Sequence, residues 1–153
     1  MPIRAATAAD VPRIAALVQQ YWQFEAIAGF DQARIESLLQ DLVTAPERGA
    51  CWIAESAGQL LGYVLAAFIF SLEHGGLMAE IDELFVTPAG RCAGVGSQLL
   101  QAAERDFETR GVVRIQLQLA VGNGRARAFY ERRGYAPRAG YELLDKPLRG
   151  SSP

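Results

Sequence analysis

Gly90, Arg91, Gly94 and Gly96 crowd together in the stretch VTPAGRCAGVGSQLLQAAERDF, residues 86–107. The run closes as an amphipathic helix, but it opens without the Ser, Thr, Asp or Asn that caps most helices. Glycines gathered there let a ligand approach the backbone. A helix N-terminus offers free N–H groups and a partial positive charge, which together suit a phosphate or pyrophosphate. Arg91 adds a fixed charge and Ser97 a hydroxyl in the first turn. Just upstream, Glu80, Asp82 and Glu83 place three carboxylates at the entry of a strand. A carboxylate can take a proton from an amine, although the same cluster also fits a solvated strand end. Strand alternation puts Glu80 and Asp82 on one face and Glu83 on the other, unless a bulge intervenes.

The elements that must position these groups follow from periodicity. Residues 2–7 read as a first strand. Residues 7–27 form a helix, with Ile14, Leu17, Val18 and Tyr21 at helical spacing and Thr7 or Asp10 as cap. A second helix covers 31–45. Two strands, 49–56 and 59–74, meet at an Ala57-Gly58 turn. A third, 77–87, carries the carboxylates and stops at Pro88. A helix over 94–109 and an alternating strand over 112–121 complete a strand–helix–strand unit, whose strands pair in parallel through a right-handed crossover. A short helix at 124–133 follows, then one or two strands within 135–148. Residues 150–153 read as a frayed tail. No repeat or linker divides the chain, so 1–149 reads as a single domain.

Bulk properties narrow the function. The 153 residues, half of them hydrophobic, suit one globular core. No apolar run approaches the ~20 residues of a membrane span, and the N-terminus does not read as a signal peptide. Cys51 and Cys92 lack metal-like spacing, and His74 is the sole histidine. The expectation is therefore a cytoplasmic protein without a metal. Residues 1–83 hold eleven acidic and four basic side chains; residues 84–153 hold six and eleven. That asymmetry fits solvated faces as readily as two partners of opposite charge. The slightly acidic chain has no basic stripe interleaved with aromatics, which argues against nucleic acid.

Two phosphate-binding patterns fail. A P-loop needs Gly-Lys-Ser/Thr, and there is no lysine nearby. A dinucleotide fingerprint needs a third glycine where Leu99 stands. Arg91-Cys92-Ala93-Gly94-Val95-Gly96 instead resembles the Arg/Gln-x-x-Gly-x-Gly/Ala motif of the GCN5-related N-acetyltransferases (GNAT). Further on, NGRARAFYERRGY is similar to a second family segment, matching at Asn123, Ala126, Phe129, Tyr130, Glu131, Gly134 and Tyr135. The resemblance covers essentially the whole chain and is most specific over residues 80–135. It departs where many members carry Gly and Lys after the Arg, since here Cys92 and Ala93 follow.

The resemblance implies an α/β GNAT fold: a mixed central sheet of six or seven strands with about four helices. An antiparallel N-terminal meander would precede a central parallel pair that splays to hold CoA. It implies direct acetyl transfer from acetyl-CoA to an amine in a ternary complex. Residues 91–97 (Arg91, Cys92, Ala93, Gly94, Val95, Gly96 and Ser97) would hold the pyrophosphate. Phe85, Val86, Asn123 and Ala126 would hold the pantetheine arm, and Tyr130 would line the same site. Tyr130 would also be the general acid for the departing thiolate, although a packed aromatic is the plainer reading of that position. Glu80 and Asp82 fall where subfamilies place a base. The acceptor pocket would lie between the first two helices and the sheet, near Tyr21, Trp22, Phe24, Glu25, Phe30, Asp31 and Glu36, where aromatics and carboxylates suit a cationic amine. A small cationic or amino-acid-like amine is the expected acceptor. The alternatives are a protein N-terminus or lysine, or a non-catalytic acyl-CoA sensor. The apolar C-terminal strands offer a surface for a homodimer.

Overall fold

The computed structural model describes residues 2–148. The chain falls into two compact units, Met1–Leu117 and Gln118–Pro153. The expected tail at 150–153 lies outside the described residues.

In the first unit, β1 (Ile3–Ala5) leads through a short 3-10 turn into α1 (Val11–Phe24) and α2 (Gln32–Val43). Pro12 occupies the first turn of α1, where its missing N–H costs nothing. Asp31 caps α2 by accepting from the Arg34 amide at 2.9 Å. β2 (Gly49–Ser56), β3 (Gln59–Ser71) and β4 (Gly76–Val86) then form an antiparallel meander. α3 (Val95–Thr109) crosses to β5 (Arg114–Leu117), which pairs with β4 in parallel. The sheet order is β1-β2-β3-β4-β5.

Each face of the sheet buries one helical layer. Ile14, Leu17 and Val18 of α1 and Ile35 and Leu39 of α2 pack with Ile53, Tyr63 and Phe85. α3 packs on β2 and β3 from the other face, where Phe107 meets Trp52 and Phe68 edge-on at 5.5 and 5.9 Å.

The mixed sheet, the meander and four α-helices match the expected fold, but the sheet has five strands among the described residues rather than six or seven. The second unit holds α4 (Gly124–Glu131) and no strand among its described residues. Residues 136–148 contain Pro137 and Pro147, which lack a ladder donor. Tyr141, Leu143, Leu144 and Leu148 there are exposed. The apolar run that reads as strand has no strand partner, so the dimer surface expected there is not built from strands. β5 is also shorter than its alternating pattern, ending at Leu117.

Candidate active site

The loop after β4 is shaped by close packing. Gly90 is buried, and a Cβ there would stand 2.9 Å from Val86 Cγ1 and 3.0 Å from the Leu61 carbonyl oxygen. No side chain fits without moving the strand end. Gly94 caps α3 in the left-handed region at φ 74°, with no side-chain cap. The first helical bond of α3 runs from Gln98 N–H to the Gly94 carbonyl at 3.0 Å. The Val95 and Gly96 amides therefore precede that ladder, as a phosphate cradle requires. Ala93 and Cys92 are exposed in the turn before it, and Ser97 lies in the first turn of α3. Arg91 Nε donates to the Val86 carbonyl at 3.2 Å, and its guanidinium lies 5.2 Å from the Phe24 ring centroid. The charge is thus steadied from the end of α1.

β4 carries an open edge. Its ladder with β5 ends at Ile81↔Leu117, whereas its ladder with β3 continues to Gly62↔Val86. Thr87 N–H donates to the Leu61 carbonyl at 2.8 Å, so it faces β3. Backbone groups alternate sides along a strand. Those of Val86 and Leu84 are therefore turned to the open edge, and those of Phe85 toward β3, where its carbonyl lies against Gly62. Of the two strand residues named from the sequence, Val86 turns its N–H to that edge, its carbonyl being taken by Arg91, and Phe85 contributes a buried ring. Leu84 was missed, because side-chain patterning says nothing about which way a carbonyl points.

The carboxylates are rearranged by a bulge. Leu65 pairs with Glu83 and Ala66 with Ile81, which leaves Asp82 unopposed. The bulge returns Glu83 to the face of Glu80, toward α1 and α2, against simple alternation. Glu80 accepts from Gln116 Nε2 at 3.0 Å. Asp82 is exposed at its surface, yet the protein atoms crowding it and the nearby Glu80 charge push its carboxyl above the usual range. Glu83 is half-buried and held at both oxygens. Tyr63 OH donates to Oε1 at 2.7 Å and Trp22 Nε1–H to Oε2 at 2.8 Å. Burial outweighs those two donors, and Asp82 adds repulsion, so the Glu83 carboxyl is also raised. Among the described residues no salt bridge joins Glu80, Asp82 or Glu83 to a cation. A separate open hollow of about 550 Å³, lined by Arg13, Gln20, Gln59 and Thr87 among others, includes none of these carboxylates.

Asn123, Ala126 and Tyr130 belong to the second unit. Asn123 caps α4, its Oδ1 accepting from the Ala126 amide at 3.2 Å. Its carbonyl is thus fixed, and its NH₂ keeps two donors for a ligand. Tyr130 is buried, set edge-on to Phe129 at 5.1 Å and Tyr135 at 5.5 Å. Burial raises its phenol to about 12. It therefore stays protonated at neutral pH, as a proton donor must.

No helix among the described residues is long and apolar enough to cross a membrane. Residues 13–135 match the model of the acetyltransferase (GNAT) family, a span that includes residues of both units. The uncharacterized N-acetyltransferase YhfO of Bacillus subtilis is 32% identical over 92% of this chain and 93% of its own length. An aminoalkylphosphonate N-acetyltransferase of Salmonella typhimurium is 35% identical over 51% of each chain. The crystal structure of a probable acetyltransferase shares the fold at a TM-score of 0.87, with 21% identity over 99% of this chain and 100% of that one.

Proposed function

The chain belongs to the acetyltransferase (GNAT) family and is an N-acetyltransferase, and from that premise we propose that it moves an acetyl group from acetyl-CoA to the primary amine of a small cationic or amino-acid-like acceptor. One observation carries the reading. Within the first unit, an open β4 edge runs into a helix N-terminus that starts at the left-handed Gly94 with no side-chain cap. Arg91 and the turn from Cys92 to Ser97 would hold the CoA phosphates. On the first unit, the edge groups of Leu84 and the Val86 N–H would hold the peptide-like arm; on the second, the Asn123 amide and Ala126 keep the cofactor-binding role that the family resemblance gives them. We also propose that residues 1–149 work as one acetyltransferase domain.

Acetyl-CoA supplies an acetyl group already activated as a thioester. The chain's own residues manage two protons. An alkylamine of pKa about 10.4 is neutral only about once in 10³ molecules at pH 7. Asp82 or Glu80 takes that proton before attack, and at Asp82 the crowding by protein atoms and the Glu80 charge raise the carboxyl, which favours proton uptake there. Tyr130 gives its proton to the departing sulfur. Burial keeps that phenol protonated at neutral pH, so the proton is there to give.

The test is amine-dependent release of CoA from acetyl-CoA across a panel of amines, for the wild type and Tyr130→Phe. The expected result is release that follows one amine class and falls about 10²-fold or more in the variant, with acetyl-CoA affinity unchanged. A chain that does not bind acetyl-CoA at all would overturn the reading.

A further inference from the structure

We propose that Glu83, locked by Trp22 and Tyr63, is a specificity-determining residue for the acceptor: it receives the amine as an alkylammonium and turns away amines that carry an acid group beside them. The inference rests on the acetyl-transfer reading for its setting and deepens it by naming the substrate class.

Glu83 pairs with Leu65 and shares a face with Tyr63 and Phe85, and the extra residue Asp82 brings Glu80 onto that same face. Two different elements then fix the carboxylate, α1 through Trp22 and β3 through Tyr63, one donor on each oxygen. Both are neutral donors, so they orient the charge without cancelling it. The surroundings are aromatic: Tyr21 and Tyr63 lie against Phe85 at 5.7 and 6.3 Å, and Phe30 meets Trp22 at 6.0 Å. The charged groups next to Glu83 are acidic, Asp82 at once and Glu80 one step further along β4. A half-buried carboxylate is normally paired with a cation. Here no side chain among the described residues supplies one. A carboxylate held in fixed orientation among aromatic side chains, with no cation of its own, is a receptor for an ammonium group. The neighbouring acids make it a poor receptor for a zwitterion, whose own acid group would be forced toward like charge.

A purely structural Glu83 is the competing account, since a carboxylate is the simplest way to satisfy two donors at once. The wild-type protein separates the two. Its tryptophans are Trp22, whose indole N–H donates to Glu83, and Trp52, which packs against Phe107 on the other face. Each gives one indole ¹⁵N–H resonance, assigned with Trp22→Phe. The probes are propylamine, 3-aminopropanoate and 2-aminoethylphosphonate, titrated with CoA present. Propylamine should move the Trp22 resonance saturably and leave that of Trp52 still, and the two acid-bearing amines should need at least tenfold higher concentration. Glu83→Gln should weaken propylamine at least tenfold and raise its KM more than it lowers kcat, with Glu83→Asp recovering part of the loss. Acid-bearing amines that bind as tightly as propylamine would overturn the inference, as would unchanged propylamine binding in Glu83→Gln or no response of Trp22. Because the resonance reports binding without transfer, its result is independent of the release assay. Ammonium selection without CoA release sinks the transfer reading alone. Transfer that favours acid-bearing amines sinks this inference alone.

Discussion

Cys92 is held at φ 66° in the turn that leads into α3, a region that L side chains visit reluctantly. The residue is exposed, so no burial recovers the strain. A β-branched side chain would suffer most there. Cys92→Val should therefore lower stability by about 1–2 kcal/mol and weaken acetyl-CoA binding, because the same turn positions the amides of Val95 and Gly96. Cys92→Gly should keep acetyl-CoA affinity within about twofold, the relief of strain being offset by the greater freedom of the unfolded chain. Urea midpoints and calorimetric titration check both, and a valine variant equal to wild type in both would sink the account. That small residues must stand here is legible in the sequence, as are the glycines around them. The left-handed turn at Cys92 is not, because a cysteine carries no conformational signature. A bulge in β4 could be anticipated but not placed at Asp82, because alternation gives a face to every residue and cannot mark the one that is skipped.

The elements most legible in the sequence are those that bury a periodic face. The stripes of α1, α2 and α3 each specify one side against the core, and the apolar runs of β2 through β4 fit strands covered on both faces. Residues 136–148 were misread because apolar residues near Tyr141 satisfy a strand pattern locally, while a strand exists only where a partner edge accepts its ladder. How elements are joined is less visible still. Arg4 of β1 and Arg13 of α1 both reach Asp10, at 2.7 and 2.9 Å, and both also reach Glu55 of β2. Asp10 further accepts from the Thr7 amide at 2.8 Å. Asp10 is closed to solvent, 3% exposed, though only a thin layer of protein covers it. The Arg4 guanidinium, followed by the Thr7 and Arg13 donors, holds its carboxyl well below the usual range. The stabilisation is thus fully present above the unfolded pKa of about 3.9 and is lost as pH falls through the folded value. Asp10→Asn should cost about 1–3 kcal/mol at pH 7, the half-exposed arginines keeping the figure below that of a deep ion pair. The deficit should shrink steadily below about pH 4. Denaturant midpoints from pH 7 to pH 2 read this directly, and a deficit independent of pH would show that shape rather than charge is at stake.

At the scale of the whole molecule, the residues that would act together are divided between two units. The phosphate loop, the open edge and the three carboxylates lie in Met1–Leu117, and Asn123 and Tyr130 lie in Gln118–Pro153. The second unit is shorter than the ~40 residues below which a chain rarely folds without disulfides or metal. Its one helix among the described residues, Gly124–Glu131, is also shorter than the ~12 residues at which isolated helices become marginal. Yet Tyr130 there is buried and Asn123 caps its helix with a fixed carbonyl, so the unit is ordered where the proposed chemistry needs it. On the proposed single-domain reading of residues 1–149, so short a segment would fold cooperatively with the rest. Hydrogen exchange in rising urea tests this peptide by peptide. Amides of α4 and of α3 should lose protection in one transition, coincident with the loss of CoA release. If α4 melts first while the emission of Trp22 and Trp52 holds, the second unit is a separately melting piece. Activity would then vanish with it at low urea, and the single-domain reading would be wrong while the chemistry assigned to Tyr130 would still stand.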